Sequence, residues 1–167
     1  MANKLDMVDV ALLTCLQGNN QLSADALAEQ VGRSASGVAR RLRQLRASRV
    51  IAADVSVVAE AAVGSPLSAI IHIQLERHAP GEIEGFKRQL VRSENVQFCL
   101  EISGAFDIMV LVVVPDMAAF NDLADELLAD ERAVRRYETS FVKRRLKASL
   151  ALPLAQLSVR EKAALLA

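Results

Sequence analysis

The hydrophobic positions near the start of the chain recur with the period of an α-helix. Leu5, Val8, Leu12 and Leu16 stand three or four residues apart, which predicts a first helix with one apolar side. The segment 18–20, Gly-Asn-Asn, then ends it, because glycine and asparagine tolerate the backbone conformations found after a helix. The chain therefore opens with a short amphipathic helix.

Two more short helices are predicted directly after the first. Ser23 is a good N-cap for the second, and Leu22 and Leu27 occupy the two positions of a hydrophobic staple around it. Gly32 closes this helix, and Ser34 caps the next one. The third helix has one apolar side that faces a core. Its apolar residues are Val38, Leu42 and Leu45.

The third helix is also the most basic stretch of the chain. Residues 33–50 contain six of the twenty basic residues and none of the twenty acidic ones. A solvated arginine face is one interpretation, but two short helices joined by a tight turn, the second basic outside, favour a helix-turn-helix that enters the major groove of DNA. Guanidinium and amide groups suit phosphates and base edges. The outer side carries Ser36, Arg40, Arg43, Gln44 and Ala47.

The pattern of hydrophobic positions changes after residues 59–66, a stretch of small residues with a glycine and a proline that we take as the domain boundary. Alternating and helical segments then follow in the order strand, helix, strand, strand, helix, strand, which is typical of the ferredoxin-like split βαβ fold. Before the boundary, residues 50–58 are rich in β-branched residues and predict a two-stranded wing or the first strand of a linker. The later strands are expected at 69–76, 96–102, 108–114 and 134–150, with helices from Pro80 and after the capping residue Asp116.

The predicted architecture is α+β in two domains. A winged helix-turn-helix domain covers residues 1–58, a linker 59–66, and a ferredoxin-like domain 67–154. Residues 155–167 form a tail with a capping box for a short helix, for which a subunit contact is the expectation. Both faces of the first and third strands carry Ile, Val or Leu, so the sheet face without helices is expected to be buried against a second copy. A monomer with an apolar sheet face is the alternative.

Composition narrows the class of protein. At 167 residues and 52% hydrophobic the chain can bury a core, and its net charge of zero means that DNA affinity must come from local charge. The start does not resemble a signal peptide, the longest apolar run is too short to span a membrane, and Cys15 and Cys99 have no metal or redox spacing. His72 and His78 lack catalytic partners in motif spacing. We therefore expect a cytoplasmic, non-enzymatic protein without catalytic residues, metal or cofactor.

These residues together resemble the Lrp/AsnC family of prokaryotic transcriptional regulators. The first domain resembles the family's helix-turn-helix through segment 22–32, the basic helix and the following Val50-Ile51. The second resembles the family's regulatory domain through segments 103–107, 113–116 and 139–142. The resemblance covers residues 5–154 and implies a regulator of double-stranded DNA that forms homodimers, often octamers built as tetramers of dimers, with an amino-acid effector bound between dimers.

The resemblance implies roles for two groups of residues, one in each domain. Arg40, with Arg43 or Gln44, is expected to read bases. In the sheet domain, the Gly104 and Ala105 amides could hold a carboxylate and Asp107 an ammonium, although the same loop is also a good hairpin turn. The expected phosphate contacts are Arg33, Arg41 and Arg46, and Ser34, Ser36 and Gly37 complete the DNA set. The expected effector contacts are Gly104, Ala105, Phe106, Asp107, Thr139 and Ser140.

The chain departs from the family pattern at several positions. Ala35 and Gly37 supply no polar side chain for base reading, which suggests the alternative of a ligand-binding or assembly protein whose helix-turn-helix no longer reads DNA. Arg49 stands where the family usually has Gly, so either Arg49 adopts the left-handed conformation or the helix ends differently. Asp54 replaces a common Tyr. A second basic cluster at 143–147 is expected to be a solvated or ion-paired strand edge, with DNA wrapping as the alternative.

Overall fold

In the computed structural model, which describes residues 5–76, 80–129 and 132–156, the chain divides into a helical unit and a sheet unit. The helical unit contains the described residues up to Ser56 and from Ala148 onward, and the sheet unit runs from Val57 to Lys147. Residues 148–154, expected in the second domain, thus cluster with the helices, because Leu154 packs on the helical core. The expected tail helix and His78 lie outside the described residues.

The helical unit has the three helices that the spacing predicts. Ser23 and Ser34 cap the second and third through their hydroxyl oxygens, as expected. The first is capped by Asp6, which exchanges side-chain and backbone hydrogen bonds with Asp9 in a capping box. The helices are α1 Met7–Gly18, α2 Ala24–Val31 and α3 Ala35–Ala47. Their buried core consists of Leu12, Leu13, Leu16, Leu27, Ala28, Val38, Leu42 and Leu45.

The end of α3 shows which of the two alternatives for Arg49 is correct. Arg49 has a φ of 57°, so it adopts the left-handed conformation itself. The amides of Val50 and Ile51 then donate to the Leu45 carbonyl at 2.9 and 3.1 Å, which closes the helix. The strand or wing expected over 50–58 is wrong, because no strand pairs with this segment in the described chain. Val50 and Ile51 instead pack on the helical core as partly buried side chains.

The sheet unit has the expected order of elements. Four antiparallel strands are arranged as β2-β3-β1-β4, which is the ferredoxin-like split βαβ topology. The strands are β1 Leu67–Leu75, β2 Val96–Glu101, β3 Ile108–Val114 and β4 Val134–Phe141. The helices are α4 Pro80–Arg92 and α5 Met117–Ala124, the latter continued by a π-helical turn at Asp125–Ala129. The predicted last strand, 134–150, is too long.

The two faces of the sheet differ in their cover. On one face, alternate residues of β1 and β3 such as Ile71 and Val110 are buried among side chains of α4 and α5. The other face carries the alternate residues of the same strands. There Leu111 lies opposite Ile70, and the neighbouring Phe98 and Leu100 of β2 remain 36% and 46% exposed. The sheet unit therefore leaves an apolar surface, called here the open sheet face, that none of its described residues covers.

Candidate functional site

Helix α3 presents one polar side to solvent because its other side is fixed in the helical core. Val38, Leu42 and Leu45 are at most 8% exposed. The positions expected to contact DNA lie on the remaining surface, as the helical period requires. The exposed residues of this side are Ser36, Arg40, Arg43, Gln44 and Ala47.

Gly37 lies in the first turn of α3 and donates to the cap of the helix. The Ser34 hydroxyl oxygen accepts a hydrogen bond from the Gly37 amide at 3.3 Å. A Cβ at position 37 would lie 3.0 Å from that same oxygen, so the Ser34 side chain would have to shift by a few tenths of an ångström. The caps of α1 and α2 accept from the amides of Asp9 and Ala26, which do carry a Cβ, so the cap itself does not require a glycine.

Arg41, expected on a phosphate, is bound by two carboxylates of the helical unit. Its guanidinium lies 2.6 Å from the Asp6 carboxylate and 2.8 Å from that of Asp9. The backbone N–H of Asp9 is the main cause of a lowered pKa at Asp6, and the bond from Arg41 adds to it. The same pair of carboxylates raises the pKa of Arg41. Arg41 thus ties the start of α1 to the middle of α3.

Arg46, also expected on a phosphate, has a carboxylate partner as well. Two of its guanidinium nitrogens donate to Asp54, at 2.9 and 3.3 Å. This hydrogen-bonded pair is the main cause of the lowered pKa of Asp54 and the raised pKa of Arg46. Asp54, noted in the sequence as a departure, therefore neutralises one cation near the end of α3.

The remaining arginines around α3 have no carboxylate partner in the described part of the chain. Arg40, Arg43 and Arg49 are exposed and form no ion pair there, while Arg33 donates only to the carbonyl of its neighbour Gly32. Four guanidiniums thus remain available to a polyanion. We call Arg33, Arg40, Arg43 and Arg49 the free arginines.

In the sheet unit, the expected effector loop is a closed turn between β2 and β3. The Ile102 amide donates to the Asp107 carbonyl at 2.9 Å, and Gly104 has a φ of 150°, which favours glycine. The Asp107 carboxylate, expected to accept an ammonium, accepts the Leu75 amide at 2.8 Å. Asp107 therefore fastens the loop to the end of β1 with one of its oxygens.

Two residues that the sequence analysis did not place at this loop contact its aromatic ring. The Phe106 ring lies 5.4 Å from that of His72 and 5.1 Å from the Arg136 guanidinium carbon, in a cation–π arrangement. Arg136 also donates to the Gln74 side chain at 3.1 Å. Alternation places His72 and Arg136 on the open sheet face, but only the strand register reveals that they meet at the loop.

Thr139 and Ser140 are not brought to one place. Thr139 lies opposite Ile71 and shares its face with the helices, whereas Ser140 lies opposite Ile70 on the open sheet face. Successive residues of a strand point to opposite faces, so only Ser140 shares a face with the side chains around Phe106.

The second basic cluster follows β4 instead of lying on it. Arg145 lies 2.8 Å from Glu60 and donates to the buried hydroxyl of Ser68 at 3.4 Å, which confirms the expected ion pairing for this residue. Lys143 and Arg144 are exposed beside a cleft of about 380 Å³. No described helix is long and apolar enough to cross a membrane.

Two family models match the chain, one over the three helices and one mainly over the sheet unit. The model of the AsnC-type helix-turn-helix domain matches residues 5–46. The model of the Lrp/AsnC ligand binding domain matches residues 68–152, which include the loop at Phe106. Together the two matches span both candidate sites, the exposed side of α3 and the turn between β2 and β3.

Similar proteins extend over nearly the whole chain. An uncharacterized HTH-type transcriptional regulator of Sinorhizobium fredii is 34% identical over 153 residues, covering 92% of this chain and 90% of that protein. The leucine-responsive regulatory protein of Escherichia coli K12 is 30% identical over 145 residues, covering 87% and 88%. The crystal structure of a transcriptional regulator of Neisseria meningitidis in complex with L-Met has a TM-score of 0.84 at 28% identity, covering 92% of this chain and 99% of that one.

Proposed function

Since the chain belongs to the Lrp/AsnC family of transcriptional regulators, we propose that it binds double-stranded DNA through α3 and that an amino acid bound in the sheet unit controls this binding. The observation that supports DNA binding is the division of the arginines around α3 into free ones and carboxylate-bound ones. The free arginines Arg40 and Arg43 stand with Gln44 on the exposed side of a helix whose opposite side is buried. These are the groups that bind base edges and phosphates in the major groove.

The assembly proposed is a homodimer joined through the open sheet face. Phe98, Leu100 and Leu111 form an apolar surface there, and a second copy would remove it from water. A symmetric dimer presents two copies of α3, which can occupy successive major grooves when they are one helical turn of DNA apart. Assembly of dimers into an octamer is the further step that we propose for effector control.

The effector proposed is an amino acid held at the loop 103–107. The Neisseria meningitidis relative was solved with L-Met, and the present chain matches the ligand binding model of the family across this loop. Phe106 offers an apolar surface, and Arg136, which lies 3.4 Å from Glu138, offers a cation that an effector carboxylate would share with that residue. Asp107 offers an ammonium the oxygen that does not accept the Leu75 amide. An amino acid that binds one assembly better than another would shift DNA occupancy by its differential affinity.

The test uses fluorescence anisotropy of a labelled duplex from upstream of the protein's own gene, over a series of salt concentrations. The wild type should bind tightly and lose affinity steeply as salt rises, while the Arg40→Ala, Arg43→Ala double variant should lose the preference for this duplex over random DNA. Adding L-Met or L-Leu to the same assay tests the effector. If an intact wild-type oligomer binds neither duplex, the alternative of an assembly protein without DNA reading replaces this proposal.

A further inference from the structure

Arg49 holds a left-handed backbone conformation, which among the described residues with a side chain only Ser65, with a φ of 53°, shares. The residues after α2 and after the 3₁₀ turn at Glu60–Val63 are Gly32 and Gly64, with φ values of 62° and 90°. The left-handed residue after α3 is Arg49, with a φ of 57°. For a residue with a side chain this conformation is unfavourable, because Cβ comes too close to the backbone oxygen. The free energy of the fold is therefore less favourable than with glycine here.

Nothing within the described helical unit explains why this position carries a guanidinium. The backbone bonds that close α3, from the amides of Arg49, Val50 and Ile51, are available to any residue, glycine included. The Arg49 side chain is exposed and has no ion pair in the described chain. Residues held in an unfavourable conformation without internal compensation are found preferentially where a binding function needs the side chain.

The charge around Arg49 favours a polyanion as its partner. Residues 33–50 contain no acidic side chain, and the two carboxylate-bound arginines, Arg41 and Arg46, leave Arg49 as the free cation after the end of α3. The opposite end of the same helix has the free Arg33, so free guanidiniums flank the exposed side of α3. Cations at both ends of a recognition helix can contact the phosphates that border a major groove.

We infer that Arg49 is a DNA phosphate contact kept in the left-handed conformation at the expense of stability. The inference rests on the proposed function, because it assumes that α3 enters DNA. A second explanation, that Arg49 is present only to interact favourably with the C-terminal end of the α3 dipole, predicts a different outcome. In that case its replacement would weaken the fold and leave DNA binding unchanged.

Three full-length variants separate these explanations. Arg49→Gly removes the charge and the strain, Arg49→Ala removes the charge and keeps the strain, and Arg49→Lys keeps both. We expect Gly and Ala to lower the magnitude of the slope of log affinity against log salt by about 1.8, as for one lost phosphate contact in each protomer of the proposed dimer, with Lys close to wild type. Amide hydrogen exchange at residues 42–51 should be slower in Arg49→Gly than in wild type or Arg49→Ala.

The inference is overturned if Arg49→Gly binds DNA with the wild-type slope, or if its amides exchange faster than those of wild type. The Arg40→Ala, Arg43→Ala double variant separates this failure from a failure of the proposed function. If that double variant loses DNA binding while Arg49→Gly does not, only the inference that Arg49 contacts a phosphate is rejected. If the wild-type protein itself does not bind DNA, both the proposed function and the inference about Arg49 are rejected.

Discussion

At the scale of single residues, an arginine near α3 is available to DNA only if no carboxylate of the protein already binds its guanidinium. Six arginines make residues 33–50 basic, and the sequence alone shows this. Which of them are free depends on distant carboxylates, since Arg41 binds Asp6 and Asp9 at separations of 35 and 32 residues along the chain. A one-dimensional pattern does not contain these contacts. The predicted phosphate contacts therefore included two residues that the fold engages otherwise, Arg41 and Arg46.

The first residue-scale prediction concerns Arg41. Arg41→Met removes the guanidinium that joins α1 to α3 and leaves two carboxylates facing each other, so the helical unit should be destabilised. Because the pair with Asp6 is partly exposed, the loss should be about 1 kcal/mol or less. Faster amide hydrogen exchange in α1 and α3 would measure it. Arg40→Met, which removes an arginine with no partner among the described residues, is the control and should leave exchange unchanged.

The pH dependence of the helical unit follows from Asp6. Its pKa lies below the ordinary value of 3.8, so the charged carboxylate stabilises the fold. That contribution is complete above pH 3.8 and is lost as the pH falls through the lower pKa of the folded state. Asp6→Asn, which keeps a capping side chain, should show a smaller loss of stability between pH 5 and pH 3 than wild type, measured by urea unfolding at each pH. An identical loss in both proteins would contradict the assignment.

At the scale of elements, periodicity and capping residues were sufficient for most of the fold. The helices begin where Ser23, Ser34 and Asp116 cap them, and β3 has the predicted bounds. The errors fell where β-branched or alternating residues have no partner strand, at 50–58 and beyond Phe141. β-Branched side chains suit any half-buried surface, so their presence predicts burial better than it predicts strand pairing.

The returning segment at 148–156 gives the element-scale prediction. Gln17 on α1 donates to the Leu152 carbonyl at 3.1 Å and accepts the Leu152 amide at 2.7 Å, while Leu154 packs on the helical core. Gln17→Ala removes both bonds and should destabilise this contact by about 1 kcal/mol. Gln30→Ala, an exposed glutamine of α2, is the matched control. Limited proteolysis after residue 147 should be faster in Gln17→Ala only; equal rates would show that the segment is not held by these bonds.

At the scale of the whole molecule, the open sheet face links the fold to assembly. The sequence predicted it because both faces of β1 and β3 carry Ile, Val or Leu, so that an apolar surface is left after the helices cover one face. The site around Phe106 was predicted only in part, since the contacts from His72 and Arg136 require the register between β1 and β4. The sequence therefore predicted the loop, whereas the side chains around it are known only from the pairing of the strands.

The whole-molecule prediction is that the open sheet face joins two copies. Leu111→Asp places a charge at the centre of this face and should convert the dimer to monomers, measured by sedimentation velocity. Val91→Asp on α4, where the valine is already 72% exposed, introduces the same charge away from the face and should leave the assembly unchanged. If Leu111→Asp remains folded and dimeric by circular dichroism and sedimentation, another surface must join the copies.

The most direct test of the account compares four single alanine variants on one DNA duplex. Arg40→Ala and Arg43→Ala should each lower affinity for the upstream duplex at fixed salt by about 10-fold or more, since each is proposed to read a base. Arg41→Ala and Arg46→Ala, whose guanidiniums are bound by Asp6, Asp9 and Asp54, should change affinity far less. Equal losses in all four variants, or larger losses for Arg41 and Arg46, would contradict the assignment of α3's free arginines as the DNA-reading groups.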